Sequence, residues 1–175
     1  VIGACMGFDM GGPVNKTASM AANALGADGI NGPMCAKIIG GMTPPIGLFI
    51  ATLIKKNKFT KTELETAKTA LPMGLCFITE GVLPFAAADP ARFIPCSMLG
   101  SAVAGAIAVG AGCESVAGQG VIFVVPMMTK PGMFMAALFA GSMATGIAYA
   151  FLKKDKTPET VEEENVDIDL DINII

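Results

Sequence analysis

Glu80 is the only charged residue between Leu75 and Phe85, in the stretch Phe77-Ile-Thr-Glu-Gly-Val-Leu-Pro-Phe85. A carboxylate in so apolar a setting needs a partner cation, a ligand or a water-filled cavity, which makes it a candidate functional group. It accepts hydrogen bonds from hydroxyls, and charge-assisted bonds are the strong kind, so a polyhydroxylated solute suits it. Gly81 lets the backbone turn or approach a ligand closely. The competing reading is a structural ion pair between Glu80 and a Lys or Arg inside a bundle.

A second constellation is Gly7-Phe-Asp-Met-Gly-Gly-Pro-Val-Asn-Lys16. Asn15 donates and accepts, and Lys16 donates three times, so with Asp9 they are able to satisfy several hydroxyls of one small polar ligand. A solvated loop turning at Gly11–Pro13 fits the same residues equally well. Asp89-Pro-Ala-Arg92 reads as a cap or turn residue and an interface anchor, or else as a gate-side ion pair. The Thr43-Pro44-Pro45 step exposes backbone carbonyls, useful for a ligand or only for a bend.

Other chemistries are excluded. The chain has no histidine, and its five cysteines, at 5, 35, 76, 96 and 113, have no paired spacing, so neither zinc nor haem is expected. There is no phosphate-cradling glycine loop of the Walker type and no nucleophile–base pair. The chain is therefore expected to need no cofactor and to run no phosphoryl chemistry alone. Its basic clusters lack interleaved aromatic or Arg residues, which argues against nucleic acid.

The elements that would position these groups belong to a membrane. Apolar residues make up 53% of the chain and charged residues 15%, where soluble domains carry about a quarter. Thr69 to Leu152 holds only Glu80, Asp89, Arg92, Glu114 and Lys130 as charges, the blocky pattern a bilayer imposes. Two windows, Phe93–Cys113 and Gly132–Leu152, read as plain spanning helices of about 20 residues. Both are rich in small residues that let helices approach closely in lipid, including Gly100, Ser101, Gly141 and Ser142. A third stretch, Met34–Ile54, carries Lys37 and is expected to break or kink sharply at Pro44-Pro45. The stretch Ile2–Leu25 is expected to break at Gly11-Gly12-Pro13. Leu71–Ala88 and Val116–Met128 are short and interrupted, as re-entrant segments are, with Glu114 and Lys130 marking the two ends of the latter. The fold class expected is an all-α polytopic membrane bundle with broken helices and re-entrant hairpins.

Charge bounds the topology. The runs Lys55–Lys61 and Lys153–Lys156 are both basic and both expected in the cytoplasm, so an even number of crossings separates them. Two crossings with re-entrant Leu71–Ala88 and Val116–Met128 are preferred to four. Residues 1–152 hold nine basic and seven acidic groups, and residues 153–175 hold three and eight. The division is thus a membrane part, 1–152, and an acidic cytoplasmic tail, 153–175, expected to be disordered. Val1 stands directly within apolar sequence, from which further sequence before it is expected.

Three stretches resemble the membrane IIC component of the bacterial phosphoenolpyruvate-dependent sugar phosphotransferase system, fructose family. They are Gly7-Phe-Asp-Met-Gly-Gly-Pro-Val-Asn-Lys-Thr-Ala18, Met42-Thr-Pro-Pro-Ile-Gly47 and Ile78-Thr-Glu-Gly-Val-Leu-Pro-Phe-Ala-Ala-Ala-Asp-Pro90. The resemblance covers Val1–Leu152 and corresponds to the C-terminal half of such a permease. It implies a homodimer in the cytoplasmic membrane whose re-entrant hairpins hold fructose, or a related hexose, near mid-membrane. A IIB domain carrying a phosphocysteine then phosphorylates the sugar, with phosphate arriving through IIA and the histidine-containing carrier. On this basis Glu80, with Thr79, Gly81 and Pro84, binds sugar, and Asp9, Asn15 and Lys16 line the pocket or its approach. Some related IIC families use a histidine near the sugar, and none exists here. The alternative is an ion-coupled secondary transporter with Glu80 as the coupling site.

Overall fold

The computed structural model of the protein describes residues 1–118 and 122–153. The expected tail therefore lies outside the described residues, apart from Lys153. Every regular element among the described residues is helical. The α-helices are α1 (Ile2–Asp9), α2 (Pro13–Ala27), α3 (Gly32–Ile54), α4 (Lys61–Leu75), α5 (Leu83–Ala88), α6 (Pro90–Gly110) and α7 (Pro131–Leu152). Short 3-10 turns occupy Lys56–Lys58, Glu80–Val82 and Ile122–Met127.

Helices α3, α6 and α7 pack mutually and form the centre, with α1 against α3 and α6. All three are long and apolar enough to cross a membrane, one more than the sequence pattern suggests. The additional one, α3, is the most enclosed: 72% of its apolar window is buried, against 44% for α6 and for α7. Its neighbours are held close by small residues. A methyl group on Gly141 would lie 2.6 Å from the Gly100 carbonyl, and one on Gly146 2.9 Å from that of Gly47. Such backbone proximity is how apolar helices gain packing energy where lipid offers no hydrophobic drive.

Of the break or sharp kink expected at Pro44-Pro45, the break does not occur; α3 runs as one helix from Gly32 to Ile54. Pro44 cannot donate to Gly40, which should leave that carbonyl unsatisfied. Ser101 on α6 donates its hydroxyl to the Gly40 oxygen at 2.9 Å, and Thr43 donates to Ile39 at 2.7 Å. The freed acceptor finds a partner on a neighbouring helix, so the helix continues. Ser101→Ala is expected to lower stability by about 1–3 kcal/mol, the cost of stranding a buried acceptor. Thermal unfolding of the purified protein checks this, with a fall in melting temperature as the expected sign.

The bundle has two defined ends. At one, the Ser115 amide donates to the Asn31 carbonyl and the Lys130 ammonium to that of Ala111. At the other, the Lys58 ammonium donates to the Lys153 carbonyl at 2.6 Å, and Lys153 pairs with Glu63. The two basic segments thus share an end, as their charge predicts, with α6 leading away from it and α7 returning.

Two helical hairpins sit against this frame. The break at Gly11-Gly12-Pro13 is present, and α2 folds back on α1 towards the Asn31 end. Helix α4 starts ten residues before the segment expected from the sequence, because Thr60 and Glu63 form a reciprocal capping box. It runs about 22 Å from the Lys153 end at 1.5 Å per residue. It turns at Cys76–Thr79, where Phe77 meets Gly41 near the middle of α3, and then returns through α5. The expected re-entrant stretch Val116–Met128 carries the 3-10 turns of Ile122–Met127 and no α-helix among its described residues.

Candidate functional site

The tips of the two hairpins meet. Glycine at position 11 has φ +113°, a conformation that L side chains rarely adopt, and a methyl group there would sit 2.9 Å from Glu80 Oε1. The glycine therefore serves twice: it permits the turn and it leaves room for the carboxylate. Two non-glycine residues with positive φ flank the same junction, Met10 at 47° and Phe77 at 63°. Such conformations cost roughly 1–3 kcal/mol and persist only when the surroundings over-determine them. Met10, 1% exposed, is fixed in a core with Phe85 and Phe93, and Phe77 packs beside Met42 and Ile38. Burial of each side chain holds the turn it belongs to.

The Glu80 carboxylate has no hydrogen-bond or ion-pair partner among the described residues, and the residue is exposed in the single chain. The structural ion pair considered from the sequence is thus not seen among the described residues. The N-terminal end of α2 faces the same junction, and its partial positive charge favours nearby carboxylates.

Asp9 and Asn15 are engaged in building the turn. The Val14 amide donates to Asp9 Oδ2 at 2.7 Å and the Asn15 amide to Asp9 Oδ1 at 2.9 Å. Both carboxylate oxygens thereby satisfy orphan donors at the start of α2. Gly12 is needed here, since a methyl group would fall 2.5 Å from Asp9 Oδ2. Asn15 is buried, and its side-chain amide donates to the Met6 carbonyl at 2.9 Å. Lys16 lies on the exposed face of α2, and its ammonium has no hydrogen bond or ion pair among the described residues. Thr79 is buried at the tip, Gly81 lies against Met73, and Pro84 is exposed in the first turn of α5.

Asp89 does not cap α6 with its side chain; it accepts from Arg92 at 2.9 Å instead. The pair is partly exposed and spaced i,i+3, a geometry worth about 0–1 kcal/mol. Among the described residues no cluster of His, Cys, Asp or Glu is able to hold a metal ion.

The sequence reading noted Lys37 only as an interruption. It is 2% exposed, and its ammonium donates to Asn23 Oδ1 at 2.9 Å and to the Gly118 carbonyl at 2.6 Å. It ties α2 and the segment after α6 to the central helix, near the Asn31 end. The signal was present: one lysine in an otherwise apolar window, whose burial requires partners.

Comparison with known proteins adds to this geometry. The chain is 45% identical over 159 residues to the "PTS system fructose-specific EIIB'BC component" of Haemophilus influenzae, covering 91% of this chain and 29% of that protein. It is 44% identical to the "PTS system fructose-specific EIIC component" of Haloferax volcanii, covering 87% of this chain and 41% of that one. It is 38% identical to the "Fructose-like permease IIC component 2" of Escherichia coli, covering 99% and 49%. The chain spans less than half the length of each of these relatives. No protein-family model and no solved structure matches it.

Proposed function

We propose that this chain, a homologue of the fructose-specific IIC components of the phosphotransferase system, is the sugar-handling portion of a multi-pass permease in a bacterial cytoplasmic membrane. The observation that carries the reading is the junction of the two hairpins. Glu80 meets the Gly11 turn there with its carboxylate uncommitted, between helices that approach from opposite ends of the bundle. A hexose hydroxyl donating to Glu80 would replace water with a charge-assisted bond. Thr79, Gly81 and Pro84 shape the wall on one side. Asp9 and Asn15 act by fixing the opposing turn, and Lys16 lies towards its exposed approach.

Fructose is the preferred sugar, because the relatives are named as fructose-specific. The phosphoryl group comes from a IIB domain, a reading supported by relatives named as EIIB'BC and EIIABC components. This chain holds the acceptor, and the donor is delivered to it. The Lys153 end, rich in lysine, is the cytoplasmic face in this scheme.

The test is transport by the full-length protein in vesicles with IIB present. Phosphoenolpyruvate with the general phosphocarriers should drive fructose phosphate into the lumen, and without them no sugar should accumulate. Free sugar accumulating under a proton gradient alone would establish ion-coupled transport instead.

A further inference from the structure

Both feet of the Glu80 hairpin converge on one ammonium group at the Lys153 end. Lys153 Nζ lies 4.5 Å from the ring centroid of Phe59 and 5.7 Å from those of Phe85 and Tyr149. It also pairs with Glu63, whose other carboxylate oxygen receives the Thr60 amide at 2.9 Å. Phe59 and Glu63 belong to the foot where α4 begins, and Phe85 lies on α5, the returning arm. Tyr149 and Lys153 belong to α7 and its C-cap. The cage therefore joins the hairpin to the central bundle through three rings and one carboxylate. Cations within about 6 Å of ring faces are attracted most when desolvated, and the Lys153 side chain is only 12% exposed. Other charged groups of this end among the described residues include Lys55, whose ammonium lies over the Phe151 ring, Lys56 and Lys61 flanking Phe59, Lys58, which donates to the Lys153 carbonyl, and the Asp89–Arg92 pair.

One polar atom in the cage opposes it. The Tyr149 hydroxyl is buried and has no hydrogen-bond partner among the described residues. Its ring packs edge-on to Phe93 at 4.9 Å and to Phe59 at 6.0 Å. A buried hydroxyl without a protein partner favours any arrangement that lets water or another partner reach it. Separating the hairpin feet from α7 would do so.

We propose that Lys153 and Tyr149 are positioning residues that set the balance between a seated and a released Glu80 hairpin. The caged ammonium holds the hairpin seated, and the Tyr149 hydroxyl favours release. Helix α4 is a continuous 15-residue lever between its capped foot and the tip, so displacement of the foot moves Glu80 relative to Gly11. The consequence for transport rests on the sugar-site reading above, whereas the movement itself does not.

Cys76, exposed at the hairpin tip, reports that movement directly. The experiment uses the full-length protein in lipid vesicles, with its other cysteines replaced by alanine. A membrane-impermeant maleimide labels Cys76 in the absence of sugar. Lys153→Met and Glu63→Gln should each change the labelling rate by about threefold to tenfold, in the direction of greater exposure. Tyr149→Phe should slow labelling by about twofold or more, and Lys153→Arg should preserve the original rate. Opposite signs for Lys153→Met and Tyr149→Phe are what a merely structural contact would not produce. Shifts in one direction, or rates that only follow the melting temperature, would overturn the proposal. If Lys153→Met does not fold, Tyr149→Phe still decides: it removes only a hydroxyl, and unchanged labelling would overturn the latch. Sugar binding is scored separately, so a failed sugar site leaves the labelling result intact.

Discussion

Glu80→Gln in the full-length protein is expected to weaken fructose binding by about 10- to 100-fold while leaving the melting temperature unchanged. The magnitude follows from hydrogen bonds to charged groups, worth about 1.5–3 kcal/mol, at 1.4 kcal/mol per factor of ten. Stability should hold because Glu80 is exposed in the single chain and has no partner among the described residues. Glutamine keeps the shape and one acceptor but loses the charge. Sugar binding by titration calorimetry, across several hexoses and hexitols, gives the measurement. Equal affinity in both proteins would mean that Glu80 is not a sugar ligand. Glu80→Gln should also abolish most phosphoenolpyruvate-driven uptake, since a poorly held hydroxyl is poorly presented to a phosphoryl donor.

Gly100→Val is expected to do the reverse: destroy the fold without touching the site. A side chain at this position would collide with Thr145 Oγ1 and come within 2.6 Å of the Gly141 carbonyl. The obstacle includes backbone, which cannot rotate aside. Overpacking typically costs 1–3 kcal/mol, and a backbone collision between two central helices belongs at or above about 3 kcal/mol. The yield of monodisperse protein from detergent extraction should collapse. Gly110→Ala, where nothing lies within 4 Å, is the matched control and should behave as the parent.

What the sequence made legible was local. The two glycine-rich helices, α6 and α7, stand where apolar length and charge-free composition put them. The Gly11-Gly12-Pro13 break is real, because a proline at the first turn of α2 cannot extend α1. The shared end of the two basic runs also followed from charge alone. The errors have specific causes. The effect of Pro44-Pro45 depends on whether the Gly40 carbonyl is rescued, and its rescuer, Ser101, lies on another helix. Apolar windows show where chain is able to sit in lipid, but nothing in them reports that α3 occupies the centre. The early start of α4 was readable after all, since Thr60 and Glu63 have capping-box spacing. It was hidden by the search for apolar runs, because the first turns of α4 are polar.

The site was only partly legible for a similar reason. Residue type singled out Glu80, and it gathered Asp9, Asn15 and Lys16 into one turn. It could not show that Asp9 spends both oxygens on backbone amides, nor that Glu80 faces Gly11. Those facts depend on how two hairpins from different parts of the chain are seated. Aromatic residues at 59, 85 and 149 have no sequence relation to one another either, and only packing makes them a cage around Lys153.

The bond that carries α3 through its proline pair also has a place in time. Ser101 lies 61 residues beyond Gly40, and the Gly118 carbonyl that receives Lys37 lies 81 residues beyond it. At about 5–20 residues per second, roughly 3–12 s of synthesis separate Gly40 from its partner, and roughly 4–16 s separate Lys37 from its own. Until then the nascent α3 carries an unsatisfied carbonyl and an ammonium still short of a partner, both unwelcome in hydrocarbon. The most enclosed helix of the finished bundle is thus the least fit to enter lipid by itself. Its settled place at the centre therefore depends on α6 and the segment that follows.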